Sequence, residues 1–206
     1  VTHNYASSGN KTVTVRGRNL GADDNCNPTS KIVNAVPTLP VPTITQLTVL
    51  NAQDIQLDFN NQSNILYRLQ MSQNSASGFV NLQNVYETST TTVNNLQTDN
   101  NFYCFRLGAF DPCNNTTVYS NTICSSNFDV SVLNNINRLI WVTSSAGVSN
   151  YSISKNTDPP LNAPPAATSL DDTDVTCGLN YCYQQTTNYT NGSRSISLSK
   201  CATAQS

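Results

Sequence analysis

The sequence is poor in the residues that most often carry out acid–base and nucleophilic catalysis. It contains one histidine, His3, and one glutamate, Glu87. A nucleophile that depends on a histidine base has only one residue to draw on, and the paired glutamates of many glycoside hydrolases cannot be assembled. No glycine-rich loop of the kind that cradles phosphates is present. We therefore predict that the chain is not an enzyme.

Charge and long hydrophobic runs are also scarce. Charged residues make up 11% of the 206 residues, and the net charge is −2. Because no basic stripe exists, we do not expect nucleic acid as a partner. No run of 18 apolar residues occurs, so no membrane-spanning helix is expected.

The residues that are abundant indicate an all-β protein. Asn, Thr, Ser and Val dominate, and hydrophobic residues make up 37% of the chain. Such a mixture of β-formers and turn-forming asparagines is typical of short strands joined by tight turns. Seven cysteines favour an oxidising, extracellular compartment. Their odd number leaves at least one without a partner inside this chain.

A repeat of about 80 residues runs through most of the chain, and each copy has room for six or seven short strands. Two segments open with an aromatic–Cys–aromatic step, Tyr103-Cys104-Phe105 and Tyr181-Cys182-Tyr183. Each continues through an Asn-rich turn and returns to a second cysteine, Cys124 or Cys201. Upstream, DIQLDFN matches NRLIWVT, ILYRLQMSQ matches VSNYSISKN, and TTTVNNL matches TDVTCGL. This spacing predicts tandem antiparallel β-sandwiches of Greek-key type.

The aromatic residues of each repeat resemble those of a fibronectin type III domain. Trp141 lies on the predicted second strand, Tyr151 on the third and Tyr181 on the sixth. In the first repeat Tyr67 and Tyr103 occupy the last two positions, and Phe59 stands where the Trp would be. The resemblance implies that these aromatics lie in the core.

The first forty residues resemble the closing half of a PKD domain. The matching features are a His-x-Tyr step, a small-Gly turn and alternating Val and Thr leading to Asn19, with SKIVNAVP as the last strand. Together with the fibronectin-like repeats, they resemble large gliding-motility-associated surface proteins of Bacteroidota that use type 9 secretion. We therefore expect an internal segment of a longer protein. The predicted parts are a partial PKD-like sandwich at 1–36, a Pro-rich linker at 37–43, and fibronectin-like domains at 44–125 and 126–206.

The paired cysteines predict a disulfide in the last hairpin of each repeat, Cys104–Cys124 and Cys182–Cys201. If Asn191-Gly192 forms a two-residue type I′ turn, the register places Cys182 opposite Cys201. Each bridge would contribute roughly 3 kcal/mol by closing its loop. On this assignment Cys104 lies on the outer face of the sheet, while Tyr103, Phe105 and Leu107 face the core. The partners of Cys26, Cys113 and Cys177 stay open.

Two further segments invite interpretation. Asp171, Asp172 and Asp174 cluster in a predicted loop, as Asp23 and Asp24 do, and could bind Ca²⁺ through carboxylate oxygens. The alternative that we favour is a turn with solvated carboxylates, so no cofactor is expected. The prolines of DPPLNAPP predict a blunted edge strand.

From these features we expect a structural or adhesive spacer of a cell-surface or appendage protein. Its partners would be neighbouring domains of the same chain, with other copies or surface glycans as further possibilities. The alternative is a non-catalytic, glycan-binding accessory region of a large secreted hydrolase.

Overall fold

The computed structural model describes residues 9–17, 28–35, 39–63, 65–111, 115–144 and 146–206. Across these ranges the regular structure is entirely β, which confirms the predicted fold class. The chain separates into two units, Val1–Pro40 and Val41–Ser206. The described residues contain no helix of the length and hydropathy needed to cross a membrane.

The first unit contains an antiparallel hairpin. Strand β1 (Gly9–Val15) pairs with β2 (Thr29–Ala35) along its whole length, with Gly9 opposite Ala35. Strand β1 contains the alternating Val and Thr residues, and β2 contains the first six residues of the predicted SKIVNAVP strand. His3, Tyr5, Asn19, Cys26 and the Asp23–Asp24 pair lie outside the described residues, so the predictions made for them stay predictions.

The second unit contains two sandwiches. The first is built from β3 (Thr43–Val49), β4 (Ile55–Asn60), β5 (Leu66–Gln73), β6 (Val80–Tyr86), β7 (Thr90–Val93), β8 (Tyr103–Asp111), β9 (Thr116–Tyr119) and β10 (Ile123–Cys124). One sheet contains β3, β4 and β7, and the other runs β10-β8-β5-β6 with β9 also paired to β8. All pairings within this sandwich are antiparallel.

The second sandwich repeats this plan. It contains β11 (Asn127–Leu133), β12 (Ile136–Val142), β13 (Val148–Lys155), β14 (Asp158–Ala163), β15 (Ser169–Asp172), β16 (Asn180–Tyr189), β17 (Arg194–Ile196) and β18 (Lys200–Thr203). Strands β11, β12 and β15 form one sheet, while β14, β13 and β16 belong to the other, with β17 and β18 both paired to β16. Each sandwich thus packs three strands against five, and the last two of those five, β9 and β10 or β17 and β18, pair with the same neighbouring strand, which gives a fibronectin type III-like arrangement.

Alternating residues of the inner strands build each core. The predicted aromatics occupy these positions: Tyr67, Tyr103, Tyr151 and Trp141 are buried, and Tyr181 is half-buried. Phe59 pairs with Ile44 as Trp141 pairs with Phe128, so Phe59 takes the Trp position of the first sandwich. The Trp141 and Tyr151 rings pack with their centroids 5.1 Å apart.

One predicted strand is displaced in the second repeat. The sequence match placed a strand at TDVTCGL, whereas the structure has β15 at Ser169–Asp172 and a loop from 173 to 179. Asp172 pairs with Asn137 of β12, as Val93 pairs with Ile55 in the first sandwich. Asp171 and Asp172 therefore end a strand, and the prediction that they lie in a loop is wrong. The Ser/Leu/Asp strand was missed because its short sequence has little β propensity.

The predicted edge strand is present. Strand β14 contains Pro159 and Pro160 and pairs on one side only, with β13. Proline is tolerated there because the unpaired side of β14 needs no backbone N–H to hydrogen-bond a further strand.

Asparagine explains many of the turns. Five of the six non-glycine residues with positive φ in the described ranges are asparagines: Asn74, Asn95, Asn115, Asn135 and Asn156. Asn tolerates the left-handed region better than other side chains. In both sandwiches one of them follows the third strand and accepts a backbone hydrogen bond near the start of the sixth. The N–H of Phe102 donates to Asn74 Oδ1, and that of Cys182 donates to Asn156 Oδ1.

Candidate functional site

Each last hairpin carries a disulfide bond. Cys104 joins Cys124 across β8 and β10, and Cys182 joins Cys201 across β16 and β18. The two bridges lie at matching positions of the two sandwiches. Among the described cysteines Cys177 is free and exposed, and Cys113 lies outside the described ranges.

The turn that was used to predict the second bridge has a different form. The backbone N–H of Tyr189 donates to Ser193 O, so the loop has three residues, 190 to 192, and Gly192 adopts a φ of 84°. The two-residue type I′ prediction is therefore wrong, and the turn instead matches a type I turn with a G1 bulge. Asn188 faces Arg194, one residue away from the register that would place Cys182 opposite Cys201.

A bulge before each second cysteine restores the register. Ser197, four residues before Cys201, accepts the backbone N–H of Gln185 on its Oγ while its own N–H donates to Gln185 O. Ser120, four residues before Cys124, makes the same two bonds with Leu107. The serine side chain supplies a bond that the bulged backbone cannot make. Sequence reasoning missed Ser120 and Ser197, although each lies four residues before the second cysteine of its repeat.

The two bridges differ in burial. Cys104 lies on the outer face of its sheet, as predicted, but it is covered: Cys104 is 0% and Cys124 2% exposed, and both pack with Phe102 beneath Phe79. In the second sandwich Cys182 is half-buried and Cys201 is exposed. The first bridge is therefore part of a small hydrophobic cluster, and the second faces solvent.

A line of stacked arginine and aromatic side chains continues from the first bridge. The Arg106 guanidinium lies 4.4 Å from the centroid of the Phe79 ring and 3.9 Å from that of Tyr119. Gly108 makes room for Tyr119, because a Cβ on Gly108 would come within 3.1 Å of the Tyr119 ring and 2.8 Å of Thr117 Cγ2. Arginine stacked on aromatic rings is common in protein interaction surfaces.

The two sandwiches join through backbone pairing. Strand β17 of the second sandwich pairs in parallel with β3 of the first, with Arg194 opposite Gln46 and Ile196 opposite Thr48. The result is a continuous eight-stranded sheet that runs β14-β13-β16-β17-β3-β4-β7 and includes β18 beside β16. The sandwiches therefore lie side by side.

Polar side chains hold this junction. The Tyr189 hydroxyl accepts the N–H of Cys124 at 2.9 Å and donates to Cys124 O at 3.2 Å. Burial raises the pKa of Tyr189 to about 12. The Asn121 amide, which binds both backbone groups of Ile44 within the first sandwich, also donates to Ser193 Oγ of the second sandwich at 3.3 Å. An ion pair between Lys200 and Asp99, 2.7 Å apart, also crosses the junction.

A buried polar cluster replaces one apolar layer of the second core. In the first sandwich Ile55 pairs with Val93 and Met71 with Phe105; the corresponding pairs in the second are Asn137 with Asp172 and Lys155 with Tyr183. We refer to Asn137, Lys155, Asp172 and Tyr183 as the core polar cluster. Its four members are between 0% and 3% exposed.

The core polar cluster is closely connected. Lys155 Nζ lies 3.0 Å from Asp172 Oδ2. The Tyr183 hydroxyl donates to the same oxygen at 2.8 Å and accepts from Asn137 Nδ2 at 3.0 Å. Lys155 Nζ also donates to the backbone oxygen of Asp174. Burial raises the pKa of Tyr183 well above its usual range, and the hydrogen bond to the Asp172 carboxylate adds to this rise.

The three candidate calcium ligands each lie next to a basic side chain of the chain itself. Asp171 accepts two hydrogen bonds from Arg138, which lower the pKa of its carboxyl group, whereas Asp172 pairs with Lys155. The Asp174 carboxylate is exposed and lies 3.8 Å from Lys155 Nζ. Nowhere in the described ranges do three His, Cys, Asp or Glu side chains form a group that could hold a metal ion.

Sequence reasoning also missed the core polar cluster. Lys155 continues the period-two pattern of Tyr151 and Ile153, which signals that it points into the core. Its partner could not be found because the fifth strand had been placed at the wrong segment.

Comparisons with known proteins identify no family. No family model and no curated protein matches the chain. Among solved structures, pectate lyase PelI from Erwinia chrysanthemi is 19% identical over 38% of this chain, with a TM-score of 0.36, and the match spans 28% of that protein. A two-domain fibronectin type III segment of chicken tenascin is 12% identical, with a TM-score of 0.32, covering 79% of this chain and 98% of that one.

The FN1–FN3 domains of chicken CNTN1 give a third match. They are 11% identical, with a TM-score of 0.35, covering 95% of this chain and 78% of that one. Matches this distant say nothing about activity or ligands.

Proposed function

We propose that this chain is a structural and adhesive spacer of an extracellular surface protein. The observation that carries the proposal is the junction between the sandwiches, where β17 and β3 merge two stapled sandwiches into one continuous sheet. Flexibly linked domains can swing, whereas domains that share a sheet and several hydrogen bonds move together. A segment of this kind separates its neighbours by a fixed distance.

The two disulfide bonds are suited to a protein that resists mechanical force. Each disulfide fixes the last hairpin of its sandwich. Such bonds survive in an oxidising compartment, in keeping with our proposal of a surface location. The resemblance to type 9-secreted surface proteins of Bacteroidota remains part of the proposal.

The adhesive part is assigned to the outer face of the first sandwich. The stacked side chains of Phe79, Arg106, Tyr119, Arg68 and Phe110 provide aromatic and guanidinium surface there. Neighbouring domains of the same chain, other copies and surface glycans are the proposed partners. We further propose that residues 1–206 have no catalytic activity, because the ionisable side chains of the described core are committed to structural contacts with one another.

Pulling the 206-residue chain from its two ends tests the load-bearing role. We expect cooperative unfolding events whose released length increases when the disulfides are reduced, because the residues between each cysteine pair are then freed. A Cys177→Ser variant, which leaves both bridges intact, should behave like the original chain. Gradual extension without cooperative events would contradict the proposed role.

A further inference from the structure

The Lys155–Asp172 pair connects the two sheets of the second sandwich. Lys155 ends β13, in the sheet that also contains β14 and β16, and Asp172 ends β15, in the sheet with β11 and β12. Both side chains are almost completely buried, with 4% and 2% of their surface exposed. Their contact therefore crosses the interior of the sandwich.

A buried ion pair at this position carries a desolvation penalty. Removing an ammonium and a carboxylate from water has a large desolvation cost for each ion, and their mutual attraction often does no more than offset that cost. The first sandwich fills the same layer with apolar side chains. A neutral link between the two groups would remove the desolvation cost and keep the contact.

We propose that Lys155 and Asp172 join through an isopeptide bond between Nζ and Cγ. Lys155 Nζ lies 3.0 Å from Asp172 Oδ2 and 3.4 Å from Oδ1, so the nitrogen is next to both oxygens of the carboxyl group. Holding the two groups together in this way supplies the proximity that the reaction needs. The product is an amide that covalently links the two sheets.

The reaction balances without any other reagent. The ammonium group transfers two protons to Oδ2, the nitrogen attacks Cγ, and the Cγ–Oδ2 bond breaks to release one water molecule. The positive and negative charges disappear together, and neither partner is oxidised or reduced. Burial favours this direction because it penalises the charged reactants and not the amide.

Neighbouring groups are placed to assist both oxygens. The backbone N–H of Asp174 donates to Oδ1 at 3.1 Å, where it stabilises the negative charge of the tetrahedral intermediate. The Tyr183 hydroxyl donates to Oδ2 at 2.8 Å, so it can pass a proton to the oxygen that leaves. Asn137 Nδ2 holds that hydroxyl in place at 3.0 Å.

The mass of the intact, fully reduced 206-residue chain tests the bond. We expect a mass lower than the sequence value by one water molecule. Trypsin should not cleave after Lys155, and a second protease that cuts between residues 156 and 171 should yield a branched peptide that joins the segment containing Lys155 to the one containing Asp172.

Two variants complete the test. The Asp172→Ala chain should have its full sequence mass, whereas Asp171→Ala, which removes the neighbouring surface carboxylate, should keep the loss of water. Because the decisive measurement uses the unmodified chain, it does not depend on whether Asp172→Ala folds. A full sequence mass for the unmodified chain, or a loss of water that maps away from Lys155, would overturn the proposal.

Discussion

At the scale of single residues, the two sandwiches share a frame but differ in how their cores are filled. The aromatic positions could be predicted from the sequence because their order along the strands resembles that of a fibronectin type III domain. The polar residues of the second core could not be predicted, because alternation shows which way a side chain points and not which partner it meets. Tyr183 and Lys155 become informative only when the pairing of β12 with β15 is known.

Gln185 illustrates how a polar side chain in this core can lower the stability of the fold. Its side chain is 0% exposed, and neither its Nε2 nor its Oε1 has a hydrogen-bond partner among the described residues. Leu107 occupies the matching position in the first sandwich, because the backbone of Leu107 and that of Gln185 are each hydrogen-bonded to the bulge serine of their own sandwich. A buried amide without partners costs about 1–3 kcal/mol.

We therefore predict that Gln185→Leu raises the free energy of unfolding by about 1–3 kcal/mol, because it removes the unsatisfied amide and adds apolar contact. Urea unfolding followed by fluorescence measures the change. Gln184→Leu is the matched control: Gln184 points to the opposite face and donates to Ser197 O, so that variant should bring no gain. A loss of stability in Gln185→Leu would show that the amide has a partner in the folded protein.

At the scale of elements, the facing cysteine pairs in the last hairpin of each repeat could be predicted from the sequence. The turn and the bulge that lie between the cysteines could not. The three-residue turn shifts the register by one residue, and the bulge at Ser197 shifts it back. The first repeat has the same step between β9 and β10 at Ser120. Short turn motifs cannot reveal such a compensation, since bulges depend on contacts with the neighbouring strand.

The burial of the two bridges predicts the order in which they are reduced. Cys201 is exposed, whereas Cys104 and Cys124 lie beneath Phe79. A reductant must reach a sulfur atom to attack it. Under mild reduction of the folded chain, we expect Cys182–Cys201 to open well before Cys104–Cys124.

Timed alkylation followed by peptide mapping follows both reductions. Cys177, which is exposed and free, serves as an internal reference because it should react before any reductant is added. Equal rates of alkylation at Cys104 and Cys201 would show that the cover over the first bridge opens easily.

At the scale of the whole molecule, the side-by-side arrangement is the feature that the sequence predicts least. The Arg194 side chain donates to Gln46 Oε1 at 2.7 Å across 148 residues of sequence. Nothing in β17, a strand of three residues, marks it as a link between sandwiches. Its two neighbours, β16 and β3, come from different repeats, so no local pattern could indicate the pairing.

This arrangement changes the expected path of force. Force applied along the chain would load the last strand of a separate sandwich first. In the structure the hairpin strand β17 is held on both sides, and β18 is fixed to β16 by the second disulfide. Rigidity therefore comes from the junction as well as from the staples.

A cross-link between β3 and β17 tests the fused sheet most directly. Gln46 and Arg194 are register partners, and directly paired residues on adjacent strands lie within the reach of a disulfide. In a Cys177→Ser background we expect Gln46→Cys with Arg194→Cys to form this bond on mild oxidation, as mapped by non-reducing peptide mass spectrometry. The control pair, Gln46→Cys with Ser149→Cys on β13, should not form a bond because β16 and β17 lie between them. A Gln46–Arg194 pair that stays reduced while both sandwiches remain folded would contradict the continuous sheet and, with it, the rigid spacer.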